Sequence, residues 1–317
     1  MQVIQISDFA HYPDFTHDFE RNFFNEPPYL ISKSENFWQY FCLIENKIVL
    51  ARIVFFVQNN VAINPHHATF GGIESSEKLS DEDLLSFLKN IIESFQNTGI
   101  EAISILSWPS FLNPSLHQQQ EMALKATGFD VLYIDQNHFL KIDETPFTNK
   151  IHLSEKRRLK KAKRLNLSFS FLDASYIDTF YELLTAARKR KNYTVSSTKT
   201  EIIKLLTFQE VKLCGVFDGE ILIAACILTQ QNQRSVYYFL PADHPDYLQT
   251  SPMVFLIANI YEYCQAQKIE FFDLGISSVS GRFPFGKNLA IFKERCGAES
   301  SEKKCYQIDL TKTDLSF

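Results

Sequence analysis

The stretch 269–297, IEFFDLGISSVSGRFPFGKNLAIFKERCG, carries the residues of this 317-residue chain best suited to chemistry. An apolar run breaks at Gly275, passes through a loop containing Gly281, a proline and Gly286, and ends on a segment bearing Phe292 and Lys293. A lysine fixed beyond the end of a buried strand places positive charge where an oxyanion develops or a phosphate binds. Such preorganised charge is often the largest single catalytic contribution. The same spacing also fits a solvated lysine on an amphipathic helix, with Ile291, Phe292 and Cys296 facing a core. Asp273 sits inside the apolar run, where a carboxylate needs partners. It would position or deprotonate an amine, or cap a nearby loop by accepting backbone N–H bonds. Tyr237 and Tyr238 alternate across a strand, so one faces the core and the other the opposite side. Tyr238 completes the candidate catalytic set. Arg282 and Lys287 are candidate phosphate contacts of the loop, whose composition equally fits a connector.

A second feature is electrostatic. Residues 150–200 hold 13 Lys and Arg against four Asp and Glu, a local +9 in a chain of net charge −5, so the remainder carries −14. A basic block in an acidic protein points to local anion binding rather than a general affinity for nucleic acid. Its centre, SEKRRLKKAKRLNLSF (154–169), reads as a helix with a thin apolar seam of Leu153, Leu159, Ala162 and Leu165. Arg157, Lys160 and Lys161 are its candidate anion contacts. A solvated charged face is the competing reading, although seven cations on one short helix repel one another unless an anion is near. The run Arg188–Lys191 ends a helix, where cations complement the dipole without a ligand.

The elements that position these residues occur twice. FCLIENKIVLARIVFFV (41–57) reads as a hairpin turning at Asn46-Lys47. A helix capped by Ser80 follows, with Leu84, Leu88, Ile91 and Phe95 at helical spacing and Gly99 at its end. Then come the strand 100–106, a proline-marked loop, a helix near 115–127 and the strand 131–142. The second copy has a hairpin at Asp218-Gly219, a strand at 234–240, and an apolar helix from about Pro252. The strand 269–275, the lysine segment and a strand at 303–310 complete it. QNTGIEAISIL matches QAQKIEFFDLG in position and pattern. The period is too long for a solenoid and predicts two α/β domains with mixed α+β sheets, spanning 1–147 and 148–317, with a linker near 143–150.

Composition narrows the classes. No apolar run approaches the ~20 residues needed to span a bilayer, and the N-terminus lacks a basic-then-apolar leader. Six dispersed cysteines without a C-x-x-C pair are expected to be reduced core residues of a cytoplasmic protein. No metal-ligand spacing is present; the adjacent His66-His67 suit a loop better than a metal. A monomer is expected.

In their order, Asp218-Gly219, Tyr237-Tyr238, Phe272-Asp273-Leu274-Gly275 and Phe292-Lys293 with Gly297 resemble the Fem-like branch of the GNAT acyltransferase superfamily. ATFGGIE (68–74), Trp108-Pro109 and Gly128-Phe129 extend the resemblance to nearly the whole chain. It implies two tandem GNAT-like domains, with the second catalytic and the first on the acceptor side. It also implies transfer of an acyl group from acyl-CoA, or of an amino acid from aminoacyl-tRNA, to an amine on a small molecule or cell-wall precursor, without a metal. The tRNA-dependent members build peptidoglycan cross-bridges; a catalytically silent, ligand-holding member is the other class. GNAT enzymes that use acetyl-CoA carry a glycine-rich turn before the long helix. Here that place reads Tyr247-Leu248-Gln249-Thr250-Ser251-Pro252-Met253, without glycine, so the backbone approaches a phosphate less easily. A helix N-terminus still favours an anion, which makes Gln249, Thr250 and Ser251 candidate donor contacts. Phe70, Gly71 and Gly72 are expected either to wall an acceptor cleft or to form a plain turn.

Overall fold

The computed structural model describes residues 1–7, 12, 14–33, 38–65, 68–96, 98–278 and 286–312. Arg282, the pair His66-His67 and the loop residues Gly281, Phe283 and Phe285 lie outside them. The chain forms two compact units, the first holding residues 1–136 with Ser278 and the chain from Ser301, the second residues 137–277 with 286–300.

The first unit contains β1 (Gln2–Ile6), β2 (Thr16–His17), α1 (Pro27–Lys33), β3 (Trp38–Glu45), β4 (Ile48–Gln58), β5 (Val61–Asn64), β6 (Glu74–Ser75), α2 (Asp81–Gln96), β7 (Ala102–Leu106) and α3 (Pro114–Ala126). Next, β8 (Asp130–Lys141) leads into the second unit. There follow α4 (Phe147–Lys150), α5 (Leu153–Arg164), β9 (Ser168–Leu172), α6 (Ile177–Arg190), α7 (Lys199–Leu205), β10 (Val211–Asp218), β11 (Ile221–Gln230), β12 (Ser235–Asp243), α8 (Pro252–Ala266), β13 (Phe271–Ile276) and α9 (Lys287–Arg295). Finally, β14 (Glu299–Asp309) returns to the first unit.

Local chemistry explains the best-read elements. Asn46 and Lys47 both take positive φ, 50° and 64°, the two-residue geometry that matches the twist of a β3–β4 hairpin. At the start of α2, Ser80 Oγ accepts from Asp83 N at 3.1 Å, a capped start with acidic residues facing the dipole. The helix buries Leu84, Phe87, Leu88, Ile91, Ile92 and Phe95 on a sheet face formed by Phe41, Ile53, Phe55 and Ile103. In the second unit α8 is buried nearly all round, packing Leu256, Ile257, Ile260 and Tyr261 among Cys214, Val216, Cys226 and Phe272. All six cysteines are buried thiols.

The last strand of each copy pairs differently from the sequential reading. β14 runs antiparallel to β7, from Cys305↔Leu106 to Asp309↔Ala102. Residues 137–141 of β8 run antiparallel to β13, from Phe271↔Lys141 to Ile276↔Asn137. Both strands follow a short helix and a positive-φ glycine, Gly128 (89°) and Gly297 (86°). Their local sequence is therefore the same whichever copy they join, and the choice is made by long-range pairing. The basic helix is also shorter than expected. It stops at Arg164, Asn166 turns with φ 53°, and an edge strand starts at Ser168.

A buried ion cluster anchors the N-terminal segment of the first unit. The Arg52 guanidinium donates to Glu74 Oε2 (2.6 Å), Glu26 Oε1 (2.6 Å) and Tyr12 Oη (3.0 Å). Burial, then Arg52, holds the nearby His17 imidazole down from 6.5 to about 4. The unfolded chain therefore takes up this proton first as pH falls. The stability His17 contributes is present above 6.5 and is lost progressively toward 4. Trp38 and Trp108 both lie in this unit. The urea midpoint of their fluorescence is expected to fall from about pH 7 to about pH 5, and His17→Asn to flatten that fall; an equally steep fall in the variant would contradict this.

Candidate functional site

In the second unit β12 and β13 run parallel for only three pairs: Ser235↔Phe271, Val236↔Phe272 and Tyr237↔Asp273. Beyond them β12 continues to Asp243 and β13 to Ile276 without pairing to each other. Two features accompany the parting. The β11–β12 register shifts between Ala225↔Ala242 and Ile227↔Phe239, with Leu240 at φ 48°. A bulge of this kind bends its strand and re-aims it; Arg188 Nη1 on α6 holds the Pro241 carbonyl there at 3.0 Å. On β13, Gly275 has φ 75°, and a Cβ there would stand 3.1 Å from the Tyr237 ring. Glycine is thus needed both for its conformation and for the close approach.

Around the end of β13 the polar groups are buried and interlocked. Asp273 is 0% exposed. Its Oδ1 accepts from Asn137 Nδ2 (2.8 Å) and Gly275 N (2.8 Å), and its Oδ2 accepts from Gln231 Nε2 (3.2 Å). Ser235 Oγ donates to Gln231 Oε1 at 2.8 Å. Of the readings open in the sequence, the cap that holds the turn after Asp273 is the geometry observed. Lys293 is 5% exposed, and its Nζ donates to the carbonyls of Gly275 and Ile276 at 2.8 Å each. Its ammonium thus lies at the end of β13 and not on the solvated face of α9, where Lys287 is exposed in the first turn. Beside it, His138 Nδ1 lies 2.9 Å from Ser277 Oγ, and its Nε2 is 3.7 Å from Glu294 Oε1.

The α8 side gathers the candidate donor contacts. Ser251, at φ 59°, starts the helix without a side-chain cap, and Pro252 has no N–H to offer. The next first-turn amides have no intrahelical acceptor. Thr250 Oγ1 donates to Tyr247 O at 2.7 Å, and Gln249 Nε2 to Asp246 O at 2.8 Å. Lys161 of α5 donates to Gln249 O at 2.9 Å, so a cation of the basic helix stands at the turn that opens α8. Arg157 and Lys160 are exposed on α5. The apolar seam of α5 is narrower than expected: Leu153 and Leu165 are exposed. Glu155 takes a buried position in a two-pronged pair with Arg158 at 2.9 and 3.0 Å. Tyr238 lies in the core, its hydroxyl 4.0 Å from Met253 Sδ in the first turn of α8. Burial holds its phenol well above the usual range, so it can donate but not serve as a base near neutral pH.

Phe70 is 0% exposed and packs edge-on to Phe24, so it is a core side chain of the first unit and not the wall of an open cleft. A Cβ on Gly71 would stand 2.6 Å from Asn64 Oδ1; Gly72, at φ 84°, would bring one within 2.9 Å of Trp108 Cδ1. Both glycines serve close packing. Asn137, His138, Gln231, Ser277 and Glu294 were not singled out from sequence. The signal available was the polar run Asp135-Gln136-Asn137-His138 inside an otherwise apolar strand. Among the described residues no group of three His, Cys, Asp or Glu could hold a metal, and no helix is long and apolar enough to cross a membrane.

The second unit thus joins a short parallel pairing that parts beside a bulged strand to a helix that starts at Ser251 without a side-chain cap. Residues 151–285 match the family model of the acetyltransferase (GNAT) domain. Over nearly the whole chain the fold is like that of FemX. The structure is similar to FemX, with TM-score 0.71 and 13% identity, over 98% of this chain and 97% of that one. It is also similar to L-PGS from Bacillus licheniformis, with TM-score 0.57 and 10% identity, over 86% and 84%. A third similar structure is the C-terminal domain of an Agrobacterium fabrum protein described as a lysylphosphatidylglycerol synthetase, with TM-score 0.56 and 13% identity, over 81% and 80%. No curated protein sequence matches the chain.

Proposed function

We propose that the chain transfers an aminoacyl group from a charged tRNA to a primary amine, with the reaction in the second unit beyond the end of β13. The observation that carries this reading is the hydrogen bond from Lys161 to Gln249 O. It joins the most cationic helix of the chain to the turn opening α8. A polyanionic donor would lie along α5 and direct its reactive end toward the parting of β12 and β13. The missing glycines at 247–253 disfavour the close backbone grip that the pyrophosphate of acyl-CoA would need, which makes acyl-CoA the alternative donor. The resemblance to Fem-like enzymes and to a protein described as a lysylphosphatidylglycerol synthetase supports an aminoacyl donor.

The chemistry falls to the second unit because the matching positions of the first lack it. Aligning the strands IEAISIL and IEFFDLG sets Ser104 against Asp273 and Leu106 against Gly275. Counting back from Gly128 and Gly297 sets Leu124 against Lys293. In the reaction the amine attacks the ester carbonyl, the Lys293 ammonium lies near the developing oxyanion, and the tRNA hydroxyl leaves.

Thermal shift with charged tRNA, acyl-CoAs and nucleotide-linked sugars tests the donor. Charged tRNA is expected to raise the melting temperature as a ligand of the folded state does; a response to acyl-CoA alone would overturn the reading. A quadruple variant replacing Lys156, Arg157, Lys160 and Lys161 by Gln gives a second check. Its log K against log salt should be shallower by roughly 3, since each lost phosphate contact removes ~0.7–0.9 from the slope. Stability should change by less than about 1 kcal/mol, as exposed charges contribute little. An unchanged slope would leave α5 as a solvated face.

A further inference from the structure

The His138 imidazole is fully buried, yet its Nε2 has no hydrogen-bond partner. A buried polar atom left unpaired is costly, and one in a folded protein calls for a reason. The groups around it supply one. Ser277 Oγ, two residues beyond Gly275, lies 2.9 Å from Nδ1. Glu294 Oε1 lies 3.7 Å from Nε2, on a side chain 52% exposed to solvent. Lys293, adjacent to Glu294 on α9, places its ammonium on the carbonyls of Gly275 and Ile276. A buried hydroxyl, a buried imidazole and a solvent-facing carboxylate therefore stand in line, beside the lysine at the end of β13.

We infer that Ser277, His138 and Glu294 form a proton exit from the reaction centre to solvent. This inference rests on the proposed acyl transfer. An amine attacking an ester becomes cationic and must lose a proton before the product is released. In the relay the amine N–H bond breaks as Ser277 Oγ takes that proton and passes its own to His138 Nδ1. The imidazole then releases its Nε2 proton to the Glu294 carboxylate, which gives it to water. The departing tRNA oxygen takes a proton from water as its C–O bond breaks, so amine and ester give amide and alcohol with no net change in protons, and no oxidant, reductant or metal enters.

The resting state has the charges such a relay needs. Burial, then the Lys293 ammonium, lowers the His138 pKa, while Glu294 acts in the opposite sense. The imidazole is therefore neutral at rest and holds a second proton only in transit. The relay requires one tautomer, with the proton on Nε2 facing Glu294 and Nδ1 accepting from Ser277. The opposite tautomer, with Nδ1–H donating to Ser277, would make His138 a prop for the loop. Ser277 would act on the amine, and His138 and Glu294 act through it.

The test uses the full chain labelled with ¹⁵N-histidine and needs no substrate. Long-range ¹H–¹⁵N correlation is expected to show His138 neutral at pH near 7 with its proton on Nε2. Exchange of that proton with water is then expected to slow in Glu294→Gln by roughly 10²-fold, the lower end of what a positioned proton-transfer group contributes. Glu294 is exposed, so the variant should fold. A proton on Nδ1 overturns the relay, and unchanged exchange in Glu294→Gln removes its exit. Neither readout depends on the donor, so failure of the tRNA reading is told apart by the thermal-shift panel.

Discussion

Lys293→Ala is expected to lower kcat/KM by roughly 10²–10³-fold, the range for losing one electrostatic group aimed at an oxyanion. The side chain is buried, α9 carries it, and two strand-end carbonyls fix its ammonium at the end of β13. A charge held this way needs little reorganisation when the carbonyl oxygen becomes negative. The substitution also strips a donor from two carbonyls, which costs stability by about 1–3 kcal/mol. Activity should therefore be compared at a temperature where wild type and variant are both folded by circular dichroism. Lys293→Arg should restore only part of the rate, because the planar fork is bulkier and spreads its charge. Full activity in Lys293→Ala would make the lysine a structural clasp of the β13 end.

The second large effect is on stability. Arg52 is 0% exposed, and its guanidinium binds Glu74, Glu26 and Tyr12. Glu74 Oε1 also accepts from Asn22 N at 2.5 Å. Arg52→Ala would leave the carboxylates without their counter-charge, and breaking a buried pair from one side typically costs about 3–5 kcal/mol. The tryptophan-monitored urea transition of the first unit should shift by that amount. The double variant with Glu74→Gln should recover part of it by removing the stranded charge. A loss under about 1 kcal/mol would mean that water or the exposed edge of Glu26 already solvates the cluster.

Much of the fold was legible because local chemistry and global pairing agree. The Asn46-Lys47 and Asp218-Gly219 turns, the Ser80 cap, Pro252 at a helix start and the period of α2 each need only a few neighbouring residues. The partnerships of β8 and β14 did not show, since two strands with the same local signals choose partners far away in sequence. Short elements such as β5 and β9 carry too few residues for a period to stand out.

The site was legible to a similar depth. Lys293 stood out in the sequence because a glycine loop and a neighbouring phenylalanine bracket it. Asp273 was noticed as a charge in an apolar strand, but its three donors come from β8, the residue just after β11 and its own turn, which no spacing reveals. His138 was missed because its meaning lies in contacts with Ser277 and Glu294, more than 130 residues away. Phe70 was left open between a cleft wall and a plain turn because a Phe-Gly-Gly loop looks the same whether its ring is buried or lines a cleft.

In the proposed reaction an aminoacyl-tRNA donor reacts with an amine beside Lys293. The most direct test offers radiolabelled aminoacyl-tRNA and an amine-bearing cell-wall precursor to wild type and to Lys293→Ala, with labelled acetyl-CoA as a parallel donor. Label is predicted to pass from tRNA to the amine with the wild type, to slow by roughly 10²-fold or more in the variant, and not to pass from acetyl-CoA. Transfer from acetyl-CoA but not from tRNA, or equal transfer by the variant, would contradict it.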